Sequence, residues 1–385
     1  MTETINTPEM TFLNNYNDKF DYIITNIGDL KPEWEQSFRD DGTISRSLKC
    51  VKYNYQNPET GEIETHTFNV TSRFILSLCS RFGISSTIFN VFNPSEVCER
   101  LQEIHPRAHV RVVIENGEKM LAATNPAKSY LDFNTLMTVL NRPNIGNRVI
   151  KSSYYNGIVT IIVNMEDESW EINGDIFSQA FTVEIPIDGF GKPACYLSLV
   201  RESSQSFLTP ISKAFKSEIQ IGGNKDEKSE IILYRVLNTF NNEEGFQAIR
   251  QRLESAQTSS ASLHECERFA KMIKKGLTTS DNIENMYKSM IGDVSKKWGI
   301  ATDDSISTKK ARLLPMDCTV ADLVNFSIEL TSHMPHMFVD QTVARRIQVW
   351  LGSILQNEYD LEGNLLDPDA EVTTPRAMWF ANGDS

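Results

Sequence analysis

The sequence predicts an α+β fold: an antiparallel, β-rich middle built from Asn-Gly hairpins with inserted helices, followed by a mainly helical C-terminal part. Three observations carry this. Asn116-Gly117, Asn156-Gly157 and Asn173-Gly174 punctuate residues 108–200, and a tight hairpin needs residues that tolerate positive φ at both central positions. Between them run β-branched stretches such as Ile158 to Val163, suited to a pleated, buried surface. Beyond residue 229 the apolar residues recur at helical spacing and no strand candidate stands out.

Taken in order, residues 1–50 mix polar side chains with aromatics at no steady period and read as an arm or short helices. Val51, Tyr53 and Tyr55 alternate, Asn57 to Gly61 supplies a turn, and Ile63 to Phe68 returns as the partner strand. Thr71 or Ser72 is expected to cap a helix with Phe74, Ile75, Leu78, Cys79 and Phe82 on one side, and Gly83 to end it in the left-handed conformation. Asn93-Pro94-Ser95-Glu96 opens another helix. Val110 to Ile114 and Met120 to Ala123 form a hairpin, and Asp132 to Asn141 reads as a helix. Strands follow at Val149 to Tyr155, Ile158 to Val163, Phe181 to Ile187 and Ala194 to Val200. Expected helices then span Ser229 to Leu253, Leu263 to Gly276, Asn282 to Trp298, Val320 to Ser332 and Gln341 to Leu355, with polar loops at Gln257 to Ser262 and Ala301 to Ser307. This gives an arm and hairpin at 1–70, an α+β core at 71–228, a helical region at 229–356 and an acidic tail at 357–385.

Composition narrows the function. The 385 residues are 40% hydrophobic and 23% charged, the balance of a folded chain, and no apolar run approaches the ~18 residues of a membrane span. Met-Thr-Glu-Thr-Ile-Asn-Thr-Pro has neither a basic start nor an apolar stretch, so no export signal is expected. Six cysteines without a C-x-x-C pair suit a reducing compartment, and no disulfides are expected. The formal net charge of -13 disfavours indiscriminate binding to nucleic acid or anionic lipid. It is unevenly spread: residues 264–312 hold 10 basic and 7 acidic side chains, whereas 313–385 hold 3 and 11.

Catalytic motifs are missing. Gly191-Lys192 is followed by Pro193 and lacks the leading glycine of a phosphate loop, and Gly189-x-Gly191 sits between strands as a hairpin turn. The six histidines fall in no metal-binding pattern: Pro106 separates His105 from His109, and Pro335 separates His333 from His336. No Gly-x-Ser-x-Gly occurs, the Ser203 to Ser206 run reads as a solvated loop, and Asp303-Asp304 and Glu166-Asp167-Glu168 read as charge in polar loops. No cofactor is implied, and a non-catalytic protein is favoured over an enzyme.

Thr71 to Ile84 and Thr319 to His333 are two phrases in which the chain resembles a phage/plasmid-like family of unknown function, with similarity in element order over residues 70–335. Thr71 to Ile84 ends in Leu78-Cys79-Ser80-Arg81-Phe82-Gly83-Ile84, similar to the family's L-x-x-R-x-G-I phrase. Thr319 to His333 resembles its W-D-L-x-N-A-x-T-E-x-x-T-H helix, with Ala321 where the family has tryptophan and Ile328 at a threonine-like position. The resemblance implies a phage or mobile-element protein in the cytoplasm of a bacterial host; it carries no catalytic residues.

Two functions compete. One is a homo-oligomeric protein that binds or anneals single-stranded DNA in replication or recombination. Its candidate phosphate contacts are Lys271, Lys274, Lys275, Lys296, Lys297, Lys309, Lys310, Arg312, Arg148 and Lys151, and its candidate stacking rings are Trp298, Tyr154 and Tyr155. The other is a virion or assembly component, or a protein that binds a host factor. A hydrolase or nuclease with an unrecognised site is the least favoured.

Overall fold

The computed structural model describes residues 7–38, 44–56, 61–172, 174–213, 215–221, 228–276, 315–333 and 341–356. The fold is α+β. It divides into two compact units, the first comprising Met1–Ile161, Val183–Ala194 and Glu218–Phe240, the second Ile162–Thr182, Cys195–Ser217 and Asn241–Ser385.

In the first unit, helix α1 (Pro8–Asn14) precedes strands β1 (Phe20–Asn26) and β2 (Leu30–Phe38). The expected arm or short helices thus hold for α1 alone. The sheet continues with β3 (Ile44–Gln56), β4 (Ile63–Val70), β5 (His109–Glu115) and β6 (Lys119–Thr124), in the order β1-β5-β6-β4-β3-β2. β3 and β4 pair as expected, Tyr53 opposite His66, and β5 and β6 form the Asn116-Gly117 hairpin with φ of 53° and 66° at the two turn residues. Helices α2 (Ser72–Arg81) and α3 (Pro94–Ile104) lie between β4 and β5. Phe74, Leu78, Cys79, Val97 and Leu101 from these helices join Val51, Phe68, Val110, Val112 and Met120 in one apolar core, each large side chain stabilising by about 1.5–3 kcal/mol relative to exposure. Asn93 and Glu96 form a reciprocal capping box at α3. Thr71 stands at the N-cap of α2 without capping it, because its hydroxyl donates to the Leu121 carbonyl at 2.8 Å and so ties the helix start to β6. Gly83 ends α2 at φ 70°, as expected.

Helices α4 (Phe133–Leu140) and α5 (Pro143–Gly146) lead into β7 (Val149–Tyr155). A second sheet has the order β11-β10-β9-β8-β7, formed by β7, β8 (Ile158–Ile172), β9 (Asp175–Pro186), β10 (Ala194–Arg201) and β11 (Ser206–Leu208), with β12 (Lys216–Glu218) also pairing with β10. β8 runs longer than its apolar sequence, so Glu166-Asp167-Glu168 lies in a strand and not in a loop. The helix expected over Ser229 to Leu253 is two, α6 (Ser229–Thr239) and α7 (Glu243–Thr258), because the Asn242 side chain accepts the Gly245 N–H at 3.0 Å and starts a new helix. α6 packs against α4 in the first unit.

In the second unit, Ser260–Ser262 is a strand, β13, and not part of a loop; it pairs with β14 (Pro315–Thr319). Helix α8 (Leu263–Gly276) follows β13, α9 (Val320–His333) follows β14, and α10 (Gln341–Gln356) completes the unit. α9 packs on α7 and β11, and α10 on α8. The helix expected at Asn282 to Trp298, the loop at Ala301 to Ser307 with Asp303-Asp304, the acidic tail, and Asn57 to Thr60 and Asn173 of two expected turns lie outside the described residues.

Candidate functional site

The basic candidates begin on α8, and its sequence explains how it is held. Ser262 and Glu265 cap it reciprocally: the Ser262 N–H donates to the Glu265 carboxylate at 2.6 Å, and the Glu265 N–H to the Ser262 hydroxyl at 3.3 Å. Thr319 and Asp322 do the same for α9, at 2.7 and 3.1 Å. Because β13 and β14 pair antiparallel, with Ser260 opposite Thr319 and Ser262 opposite Pro315, the two capped helices leave from opposite ends of one short strand pair. Leu263, Cys266, Phe269 and Ile273 form the buried stripe of α8. Phe269 stacks on Trp350 of α10, with ring centroids 4.9 Å apart, and meets Phe326 of α9 edge-on at 5.9 Å. That anchoring leaves Arg268 and Lys271 exposed, three residues apart and therefore neighbours on the solvent face. Lys274 and Lys275 fall in the last turn of the same helix. Lys296, Lys297, Trp298, Lys309, Lys310 and Arg312 lie outside the described residues.

The second group belongs to the first unit. Lys151 and Tyr155 are exposed on β7, four residues apart and so on one face of the strand; Arg148, just before it, is half-buried. Tyr154 is engaged inward. Its ring lies 4.7 Å from that of Tyr16 and 5.6 Å from that of Phe20, and its hydroxyl accepts the Gly157 N–H at 3.0 Å. Burial pushes its phenol well above the ordinary tyrosine range, with the Glu115 carboxylate adding to the effect.

Three arginines, Arg111 and Arg201 buried and Arg73 half-buried, had no local sequence signal. In the first unit Arg73 of α2 is paired with Asp188, and Arg111 of β5 donates to the carbonyls of Pro126 and Lys128 at 2.6 and 2.9 Å with its guanidinium 3.8 Å from the Tyr130 ring centre. In the second, Arg201 of β10 donates to Asn325 and, at 3.3 Å, to Glu329, both on α9. Ser206 also donates to Glu329, at 3.1 Å, and is fully buried, so the Ser203 to Ser206 run is docked at its end and not simply solvated. Each guanidinium is committed to fixing a turn or a helix, which is positioning work. Among the described residues, no three His, Cys, Asp or Glu side chains gather as a metal site would require, and no helix is long and apolar enough to cross a membrane.

Fold and side chains together define an α+β protein whose buried charges hold loops and helices in place, and whose α8 turns basic side chains to solvent. No protein-family model, curated protein or solved structure matches the chain.

Proposed function

We propose that this chain is a non-catalytic protein of a phage or mobile element, acting in a bacterial cytoplasm, that binds single-stranded DNA as a homo-oligomer. The observation that carries the reading is the exposed pair Arg268 and Lys271 on an anchored helix, at the head of residues 264–312, which hold 10 basic and 7 acidic side chains in a chain that is acidic as a whole. Local positive charge of this kind contacts phosphates even when net charge opposes binding at a distance. Phage or mobile-element origin rests on the resemblance over residues 70–335. The test is a titration of labelled single-stranded DNA at low and moderate salt. Arg268→Glu with Lys271→Glu should weaken binding at least tenfold and flatten the salt dependence by about one to two units of log-log slope. Absence of binding by the unaltered protein at low salt removes the reading, and a monomer by sedimentation removes the oligomer.

A second reading, a virion component or a protein that binds a host factor, is favoured by the exposed apolar side chains of the first unit, Val91 at 77%, Phe92 at 51% and Ile104 at 61%. Mass spectrometry of purified particles and capture from host lysate distinguishes it from the first.

A further inference from the structure

The same strand pair that starts α8 and α9 brings two thiols together. Cys318 is the penultimate residue of β14, directly before the capping Thr319, and Cys266 is the fourth residue of α8. Both are buried, and their sulfurs stand 3.8 Å apart. Neither position is loosely held, because each lies beside a reciprocal cap and the caps are joined through β13 and β14. We infer that Cys266 and Cys318 are an oxidisable pair that closes an intramolecular disulfide. A disulfide needs its sulfurs ~2.05 Å apart, a closure of a little under 2 Å that side-chain rotation and a small strand adjustment supply.

The pair differs from the other buried thiols. Burial alone pushes Cys79 up to about 11 and Cys195 up to about 12, which keeps them as unreactive thiols. Cys318 moves the other way: the hydrogen bond from Cys266 lowers it more than burial raises it. The ready nucleophile is therefore Cys318. With a low-molecular-weight disulfide as oxidant, the Cys318 thiolate attacks one sulfur and expels a thiolate, leaving a mixed disulfide. The Cys266 thiolate then attacks the Cys318 sulfur and expels the second small thiol. The protein loses two protons and two electrons, which the oxidant takes up as it becomes two thiols. The bond closes a loop from 266 to 318, so the basic stretch between them is tied at both ends. This inference is independent of the DNA-binding reading.

The test uses the full, reduced chain incubated with bis(2-hydroxyethyl) disulfide, then denatured and alkylated without reductant. Free thiols should fall from six to four, the intact mass should drop by two hydrogens before alkylation is counted, and non-reducing proteolysis should yield one cross-linked peptide pair containing Cys266 and Cys318 that dithiothreitol separates. Cys318→Ser should abolish that pair, and the map of the unaltered protein decides the matter should the variant fail to fold. Six alkylated thiols after exposure, a hydroxyethyl adduct that persists without a cross-link, or a cross-link between other cysteines would each overturn the inference.

Discussion

Arg73 and Asp188, 115 residues apart in the chain, meet in a two-point ion pair inside the first unit: Nε donates to Oδ2 at 2.9 Å and Nη2 to Oδ1 at 3.0 Å. The same Nη2 donates to the Phe190 carbonyl at 2.6 Å, and the Phe190 N–H returns a bond to Asp188 at 2.9 Å. One guanidinium in the first turn of α2 thereby holds the Asp188-Gly189-Phe190-Gly191 turn between β9 and β10. The Asp188 side chain is 0% exposed and that of Arg73 20%. Burial pushes the Asp188 carboxyl up, and the bonds from Arg73 pull against it.

Removing Arg73 strands the buried Asp188 carboxylate, and that penalty exceeds the net value of the intact pair. Arg73→Met should therefore cost about 3–5 kcal/mol in urea unfolding. The double change Arg73→Met with Asp188→Leu should cost clearly less than the two single changes added together. Simple additivity in that cycle would mean that the two side chains do not depend on each other.

The turn at Asn156-Gly157 abuts this pair, which gives two Asn-Gly turns different tolerances. Gly117 and Gly157 both have positive φ, 66° and 84°, so alanine at either pays a left-handed backbone cost of about 1–2 kcal/mol. A Cβ at Gly117 meets nothing within 4 Å, whereas one at Gly157 would stand 2.7 Å from Asp188 Oδ2 and 3.0 Å from its Cγ. Asp188 cannot yield without breaking its bonds to Arg73. Gly157→Ala should thus be worse than Gly117→Ala by about 1–3 kcal/mol, read from the two urea midpoints; equal losses would place Asp188 elsewhere.

These examples show what local chemistry reveals. The Asn-Gly hairpins are legible because the signal sits in the two residues that need it, and the α3 cap because Asn93-Pro94-Ser95-Glu96 is self-contained. β1 and β2 are not: β1 finds its partner β5 more than eighty residues on, and β2 holds Pro32, which an unpaired outer edge tolerates. β13 is three residues of Ser-Ala-Ser, too short and polar for a pattern. Asn242 with Glu243 and Glu244 is a helix-start signal that marks the break between α6 and α7. Of the candidate site, composition reveals the basic surplus. That α8 buries Phe269 and leaves Arg268 and Lys271 outward follows from packing against Phe326 and Trp350, which lie far along the chain.

Buried thiols make the fold sensitive to alkali. Cys79, Cys98 and Cys195 are 1%, 3% and 0% exposed, and burial pushes them up to about 11, about 12 and about 12. An unfolded cysteine ionises near ~8.5. Each folded-state value is raised, so each thiol's contribution is complete below the unfolded value and is lost as pH climbs through 9 toward 11 or 12. In that window unfolding releases protons, and stability should fall by about 1.4 kcal/mol per pH unit for each thiol. Urea midpoints from pH 8 to 10.5 measure the slope. Cys79→Ala with Cys98→Ala should lower stability at pH 8 through lost packing and yet flatten the alkaline decline by about two thiols' worth. An unchanged slope in that variant would assign the decline to other groups, the half-buried phenols of Tyr22 and Tyr154 first among them, since loss of solvent raises both.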